Sequence, residues 1–201
     1  MDKNIKLRLA TLEDAEELLK IYTPFVESED RNISDVSFEY VAPSVEEFRD
    51  RIRNISSGYP YLIIEKDGRA LGYAYAHPYI LREAYQWCAE ATIYLAPEGQ
   101  GKGYGRILYE TLEKLLILQG VTNTYACITK SNTHSVMMHG ALGYKINGEF
   151  SNCGYKHGHW LDMVWMEKII QEHKEKPALL KAFKELEASV VAEVLNSVNS
   201  N

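Results

Sequence analysis

Two hydrophobic periodicities alternate along the chain and predict its secondary structure. Polar and apolar residues alternate in short runs typical of strands, whereas longer runs carry the three-to-four-residue spacing of amphipathic helices. The predicted strands are residues 5–10, 61–66, 70–76, 86–95, 122–128, 144–150 and 160–168. The predicted helices are residues 11–22, 44–55, 106–119 and 133–142. The order β-α-α-β-β-β-α-β-α-β-β predicts one α+β domain with helices flanking a mixed sheet.

Local signals fix several of the predicted boundaries. Thr11 with Asp14, and Ser44 with Glu47, have the spacing of capping boxes at helix starts. The dipeptide Asp67-Gly68 predicts a hairpin turn between two strands. Residues 23–40 are polar and irregular, and a predicted loop of this length suggests a functional role.

The C-terminal segment is predicted to be separate from the main domain. Pro177 can occupy the first turn of a helix. An apolar stripe follows at helical spacing: Leu179, Phe183, Leu186, Val190 and Val194. We therefore expect a domain over residues 1–170 and a helical extension over 171–201, with 196–201 frayed. The stripe either packs on its own domain or contacts another subunit.

Composition excludes several classes of protein. The 201 residues suit one domain, and the net charge of −6 argues against nonspecific binding to nucleic acid. No segment is apolar enough to span a membrane, and the first ten residues lack the apolar core of a signal peptide. Three cysteines without a C-x-x-C pair argue against a disulfide scaffold or zinc site and fit a reducing cytoplasm.

A glycine-rich loop carries the strongest functional signal. It lies between a predicted strand and a predicted helix, and glycines let its backbone approach a ligand closely. The start of the helix adds unpaired N–H groups and a positive dipole end, which favour a phosphate. No Gly-Lys-Ser/Thr closes the loop, and its spacing does not match the dinucleotide fingerprint, so neither of those motifs applies. The loop comprises Gln100, Gly101, Lys102, Gly103, Tyr104 and Gly105.

Glu90 is the candidate general base. Alternation along the strand places Glu90, Thr92 and Tyr94 on one face and the apolar residues on the other. Burial within this apolar stretch raises the pKa of a carboxyl group towards values useful for proton abstraction. The alternative is a charge at the sheet edge that faces water.

Several motifs resemble one enzyme family. The pattern Gln-x-x-Gly-x-Gly, entered from "ATIYLAPEGQ", resembles the pyrophosphate loop of the GCN5-related N-acetyltransferases, which bind acetyl-coenzyme A. The segments "REAYQWCAEATIYL", "MMHGALGYKINGEF" and "GYKHGHWLD" together resemble the phosphinothricin acetyltransferase branch. Its members acetylate the α-amine of phosphinothricin, methionine sulfoximine or methionine sulfone by direct attack, with neither a covalent enzyme intermediate nor a metal. The resemblance implies a sheet whose central strands splay apart and a homodimer.

The resemblance also assigns site residues. It makes Glu90 the base and gives His139 a polar or proton-relay role, whereas a lone His on a helix is otherwise a packed core residue. Asn132 and Ser135 are expected at the cofactor, and the alternative role of both residues, helix capping, is compatible with that contact. The implied cofactor-binding residues are Ile93, Tyr94, Leu95, Gln100, Gly101, Lys102, Gly103, Tyr104, Gly105, Arg106, Asn132 and Ser135. The implied acceptor-binding residues are Arg82 and Phe38. Tyr73 and Tyr75 are expected to line the same cavity because they lie on the strand beside Glu90.

Departures from the family pattern leave the acceptor open. Ile80 replaces a basic residue of the phosphinothricin-specific enzymes, and Gly140 and His159 also differ from the commonest residues. Losing a positive charge weakens selection for a doubly anionic acceptor. A polyamine, aminoglycoside or protein N-terminus is an alternative acceptor, and a non-catalytic coenzyme A sensor is an alternative function. His157 and His159 lack a third ligand at suitable spacing, so no metal is expected.

Overall fold

A mixed β-sheet forms the centre of the protein. The computed structural model describes residues 4–199, which contain one sheet in the order β1-β2-β3-β4-β5-β7-β6. The pairing of β4 with β5 is parallel, and the other neighbouring pairs are antiparallel. The strands are β1 (Ile5–Leu9), β2 (Tyr61–Lys66), β3 (Arg69–Pro78), β4 (Cys88–Leu95), β5 (Asn123–Thr129), β6 (Lys145–Lys156) and β7 (His159–Ile169).

Helices cover both faces of the sheet and divide the core in two. The first core cluster contains Leu108 and Leu112 of α5, and the second contains Leu18 of α1 and Ile52 of α4. Between residues 4 and 199, none of these helices combines the length and apolar character needed to cross a bilayer. The helices are α1 (Ala15–Tyr22), α2 (Pro24–Glu27), α3 (Arg31–Ser34), α4 (Val45–Gly58), α5 (Tyr104–Gln119), α6 (Thr133–Ala141) and α7 (Ala188–Asn199). The predicted α+β class is confirmed.

The predicted caps and the first hairpin are confirmed. Both capping boxes form, the first on a short 3-10 turn (Leu12–Asp14) that leads into α1 and the second at the start of α4. Asp67 and Gly68 have φ of 51° and 79°, so both residues adopt the left-handed conformation that a tight two-residue hairpin turn requires.

The prediction of an irregular loop over 23–40 is wrong in part. Pro24 begins α2, because its fixed φ suits the first turn of a helix. Asp30 caps α3 by accepting a hydrogen bond from the backbone N–H of Asn32. Each helix is a single turn, too short to produce a readable hydrophobic period.

The last hairpin is longer than predicted. β6 continues to Lys156 and β7 begins at His159, whereas the predicted strands stopped at 150 and began at 160. His157 and Gly158 form the turn with φ of 49° and 82°. The residues at the hairpin tip are mostly polar, so they lack the polar–apolar alternation that predicts a strand. Only the pairing of β6 with β7 identifies them as strand residues.

The C-terminal segment packs on its own domain, but its predicted helix begins too early. α7 starts at Ala188, and Leu179 is exposed. The backbone of residues 178–181 bonds instead to the main domain: the Trp87 indole donates to Ala178 O and the Lys181 N–H donates to Gln119 O. These contacts replace intrahelical hydrogen bonds.

The end of the described tail is ordered by the first strand. Asn199 accepts from Leu7 N at 2.7 Å and donates to Leu7 O at 3.0 Å, so its amide pairs with β1 as a neighbouring strand would. The predicted fraying is therefore wrong for residues 196–199, and residues 200–201 lie outside the described part. The division of the chain at residue 170 stays a prediction.

Candidate active site

The glycine-rich loop joins β4 to α5 and leaves its backbone open. Gly101 and Gly103 have φ of 70° and 80°, in the left-handed region that favours glycine. A Cβ built on either residue would meet no atom within 4 Å. Gly103 caps α5, whose first N–H groups have no intrahelical acceptor. The loop and the helix start therefore present N–H groups and a positive dipole end to an anion.

Other loop residues support this backbone in different ways. The Gln100 amide donates to Leu95 O at 3.3 Å and ties the loop to the end of β4. Lys102 is exposed beside the helix start. The Tyr104 side chain is buried in the first core cluster, so this residue can contact a ligand only through its backbone.

The first turn of α5 packs closely on α6. A Cβ at Gly105 would lie 2.9 Å from Met138 Sδ, so the glycine permits this approach. Arg106 donates to Glu110 Oε1 at 3.0 Å and to Ala141 O, the last residue of α6, at 3.1 Å. Arg106 thus bridges the two helices that border the loop.

A cleft of about 1050 Å³ opens beside the loop. Its walls come from the end of β4, the start of α6 and the α1–α3 segment. A cavity of this size accommodates an extended ligand, and its predominantly apolar lining is typical of a small-molecule site. Predicted cofactor-binding residues that line it are Ile93, Tyr94, Leu95, Gln100, Asn132 and Ser135.

Asn132 and Ser135 combine a capping contact with a place at the cleft wall, and their contact with the cofactor stays a prediction. Asn132 caps α6 by accepting a hydrogen bond from Ser135 N at 3.1 Å. Both residues also border the cleft. Capping fixes their positions at the cleft wall, so the two readings are compatible.

The two central strands separate, as predicted. β4 pairs with β5 only at Cys88, Ala89 and Glu90, and the ladder then ends although both strands continue. A small cavity of about 70 Å³ lies between the separated strands, bordered by Tyr109 and His139. It shares Ile93, Tyr94, Asn132 and Ser135 with the larger cleft, so the two spaces adjoin.

The separation exposes backbone groups of β4. The Tyr109 hydroxyl donates to Ala91 O at 3.1 Å, which shows that the Ala91 carbonyl points away from β3 and towards the gap. Backbone polar groups alternate in direction along a strand, so Ile93, two residues on, presents its N–H to the same gap. This supports the predicted place for a donor to a carbonyl oxygen.

Glu90 occupies the last paired position before the strands separate. Its side chain is 20% exposed, and burial raises the pKa of its carboxyl group. His77 Nε2 lies 3.9 Å from Glu90 Oε2 and acts on this pKa in the opposite direction. Glu90 is thus a half-buried carboxylate at the point where the strands separate, one residue before Ala91 at the edge of the small cavity, and its role as general base stays a prediction.

His139 lies in a buried hydrogen-bonded chain. Its Nδ1 is 2.8 Å from Ser135 O, which can only accept, so Nδ1 carries a proton. Its Nε2 is 2.8 Å from the Tyr109 hydroxyl, and in the neutral ring this nitrogen can only accept, so the one hydroxyl proton of Tyr109 is shared between Nε2 and Ala91 O. Burial lowers the pKa of His139, which favours the neutral ring. His139 therefore joins the small cavity through Tyr109, a partner that the sequence reasoning missed.

The two tyrosines predicted to line the acceptor pocket differ in burial, and neither borders the cleft or the small cavity described above. Tyr75 pairs with Thr92 across the β3–β4 ladder, on the same face as Glu90. Tyr73 is 1% exposed, with its ring packed against Phe48, Tyr61 and Tyr94. Tyr75 therefore remains the candidate wall, whereas Tyr73 lies behind it in the core.

The other two predicted acceptor-binding residues, Phe38 and Arg82, lie on different parts of the structure. Phe38 packs on the β6–β7 hairpin, where a Cβ at Gly154 would lie 2.1 Å from its ring. Arg82 lies on the exposed turn after β3 and forms no ion pair within residues 4–199. The structure does not place the Arg82 guanidinium beside Glu90, so its contact with an acceptor stays a prediction.

Lys156 fastens residues 24–38, which contain α2 and α3 and are called the α2–α3 segment, to the sheet. It is 2% exposed, and its ammonium group donates to the carbonyls of Val26, Ser34 and Ser37 at 3.1, 2.5 and 2.7 Å. Three donors thus meet three acceptors, which compensates for burying the charge. The segment includes Val36, which borders both cavities.

Histidines of the hairpin turn reinforce this contact. His159 Nε2 lies 3.1 Å from Asp35 Oδ2, and His157 Nε2 lies 4.0 Å from Asp35 Oδ1. Thr129 of β5 donates to Asp35 O at 2.9 Å. In the described part of the chain, no group of three or more His, Cys, Asp or Glu side chains is arranged to hold a metal ion.

Comparison with known proteins identifies the family. The model of the acetyltransferase (GNAT) domain matches residues 7–165. The chain belongs to the GNAT acetyltransferase family. The family resemblance seen in the loop and strand motifs is therefore confirmed.

Individual relatives place this GNAT acetyltransferase near one branch. A phosphinothricin N-acetyltransferase of Streptomyces viridochromogenes is 34% identical over 82% of this chain and 87% of the relative. An L-methionine sulfoximine/L-methionine sulfone acetyltransferase of Salmonella typhimurium is 32% identical over 58% of this chain and 68% of the relative. The crystal structure of a Sinorhizobium meliloti phosphinothricin acetyltransferase in complex with acetyl-CoA has a TM-score of 0.78 and 30% identity, covering 90% of this chain and 98% of that one.

Proposed function

We propose that this acetyltransferase transfers the acetyl group of acetyl-CoA to the α-amine of a small amino acid or analogue, with Glu90 as general base. One observation carries the proposal: a half-buried carboxylate ends the β4–β5 ladder where the strands open. The names of the relatives support the phosphinothricin and methionine sulfoximine class of acceptor.

The residues beside the cleft fit acetyl-CoA. Gly101 and Gly103 leave open space where side chains would block a pyrophosphate, and the start of α5 supplies N–H donors. The walls at Leu95, Asn132 and Ser135 would hold the pantetheine arm. When bound, acetyl-CoA supplies an activated acyl group and a thiolate leaving group.

The protein contributes orientation and proton transfer. Glu90 removes a proton from the acceptor ammonium, so that the amine becomes a nucleophile. The Ile93 N–H stabilises the negative charge that develops on the carbonyl oxygen during attack. The Tyr109 hydroxyl, held between His139 Nε2 and Ala91 O, is the candidate proton donor to the leaving thiolate. Holding both substrates in one ternary complex supplies the proximity advantage.

The first test is the Glu90→Gln variant. Loss of the base should lower kcat by about 10²- to 10⁴-fold and leave the Kd of acetyl-CoA unchanged. Glu167→Gln is the matched control, because Glu167 is another half-buried carboxylate of the sheet that bonds to Asn123 and Tyr125. Wild-type turnover by Glu90→Gln would contradict the proposed mechanism.

Two accompanying expectations also stay predictions. Cys88, Cys127 and Cys153 are free thiols, consistent with the expected cytoplasmic location. The expected homodimer is tested by light scattering on the purified protein, where a mass near twice 23.0 kDa would support it and a single-chain mass would exclude it.

A further inference from the structure

His77 lies directly across the sheet from Glu90. The β3–β4 register pairs the two residues, so their side chains project from the same face. His77 Nε2 is 3.9 Å from Glu90 Oε2. A small side-chain rotation that shortens this distance by about 1 Å brings the two atoms into hydrogen-bonding contact for proton transfer.

The backbone fixes which nitrogen of His77 carries a proton. His77 Nδ1 lies 3.0 Å from Pro78 O, and a carbonyl can only accept, so Nδ1 is the donor. In the neutral ring Nε2 then holds a lone pair that faces the carboxyl group. The His77 side chain is 35% exposed, against 20% for Glu90, so the imidazole is the more accessible of the two groups to solvent.

The other titratable groups that interact electrostatically with Glu90 are already protonated at neutral pH and so cannot accept its proton. Burial raises the pKa of Tyr75 and of Cys127 to about 12 and also raises the pKa values of Tyr79 and Tyr109. These groups come from β3, β5, α5 and the turn after β3, and all are protonated when the reaction starts. Tyr125, the β5 residue paired with Glu90, has its pKa raised as well.

The reaction needs an exit for one proton. An acceptor ammonium loses two protons when its nitrogen forms the amide bond. The thiolate released by cleavage of the thioester C–S bond takes one of them. The other must leave Glu90 before the next turnover, because a protonated carboxyl group cannot act as a base.

We propose that His77 is the proton exit of the active site, taking a proton from Glu90 at Nε2 and passing it to solvent. The proposal rests on the proposed function, in which Glu90 is the base. In each turnover the carboxyl group returns to carboxylate and the imidazole becomes imidazolium, which then loses its proton to water.

The His77→Asn variant tests the proposal through the pH profile. Asparagine cannot accept a proton, so kcat at pH 7 should fall about tenfold, less than the loss from removing the base itself. Because His77 opposes the raised pKa of Glu90, its removal should also move the acid limb of kcat/KM to higher pH. The Kd of acetyl-CoA should not change. His173→Asn, which removes a histidine bonded to Asn123 on the C-terminal segment, is the control with wild-type kinetics.

Chemical rescue and a double variant separate proton transfer from structure. Added imidazole should restore activity to His77→Gly but not to Glu90→Gln. In the Glu90→Gln background, His77→Asn should cause no further loss, because the two residues act in one path. A purely structural role would lower kcat at every pH, resist rescue by imidazole and add to the loss from Glu90→Gln.

The outcomes distinguish this proposal from the proposed function. An impaired Glu90→Gln enzyme together with an unchanged His77→Asn enzyme would overturn the role of His77 alone. Full turnover by Glu90→Gln would overturn both. A shifted acid limb with imidazole rescue supports both.

Discussion

Replacement of Lys156 by Met tests how the α2–α3 segment is fastened to the sheet. The ammonium group of Lys156 makes three hydrogen bonds, to the carbonyls of Val26, Ser34 and Ser37. Methionine has a similar length and no donor, so the variant removes these bonds with little change in shape. The three carbonyls lie on one segment, and they would lose their common partner together.

The magnitude follows from the three carbonyls. Each buried acceptor left without a donor costs about 1–3 kcal/mol. Two effects offset part of this cost: the variant no longer buries an ammonium charge, and it buries the apolar side chain of Met instead. We expect Lys156→Met to lower the free energy of unfolding by about 3 kcal/mol. For a chain of this size, that corresponds to a Tm lower by roughly 6–12 °C.

Thermal and urea unfolding measure the effect on stability, and steady-state kinetics measure the effect on the site. Lys145→Met on the same strand is the matched control, because Lys145 is exposed and its loss should cost less than about 0.5 kcal/mol. The segment carries Val36 and Phe38, so the KM of the acceptor should rise more than kcat falls. Equal stability of the two variants would refute the fastening role of Lys156.

Four further outcomes are expected. Gly103→Val should weaken acetyl-CoA binding by more than tenfold in calorimetry, because φ of 80° disfavours valine and its side chain would fill the open space that the pyrophosphate is proposed to occupy. Unchanged affinity in a folded variant would show that the loop does not bind the cofactor. Tyr109→Phe should lower kcat about tenfold or more with unchanged acetyl-CoA affinity, and wild-type kcat would exclude a role for the hydroxyl. Burial raises the pKa of Glu90, which must be deprotonated to act, so kcat/KM should decrease as the pH is lowered, with a midpoint above the pKa of an ordinary Glu. A midpoint at or below about 4.3 would contradict this. Deletion after Lys176 removes Asn199 and the buried face of α7, so Tm should fall in a scanning experiment; an unchanged Tm would exclude a stabilising role.

Strong local signals made much of the fold readable from sequence. Capping boxes at Thr11 and Ser44 and the Asp67-Gly68 turn fix their elements through neighbours within four residues. The one-turn helices α2 and α3 have no such periodicity, because four residues do not complete a hydrophobic repeat. The late start of α7 depends on bonds to Trp87 and Gln119, distant residues that the tail sequence does not reveal.

The candidate site likewise contains residues that local sequence reveals and residues that only tertiary contacts reveal. The glycine loop was recognisable because a glycine cluster is locally unusual. Glu90 was singled out only with the family resemblance, because a carboxylate in this strand could equally have faced water at the sheet edge. Tyr109 was not, since it is one of 14 tyrosines and lies beside the apolar stripe of α5. The role of His77 depends on cross-strand register with Glu90, which only the pairing of β3 with β4 supplies.

The most direct test of the central claim is thiol release from acetyl-CoA against a panel of amines. The panel contains phosphinothricin, methionine sulfoximine, methionine sulfone, the twenty amino acids, spermidine and an aminoglycoside. The account predicts turnover with the amino-acid analogues and none with the two polycations. Because Ile80 stands in place of a basic residue, it also predicts lower activity with phosphinothricin than with the methionine analogues. Absence of turnover with every α-amino acid, despite binding of acetyl-CoA, would contradict the account and favour another acceptor class or a sensor.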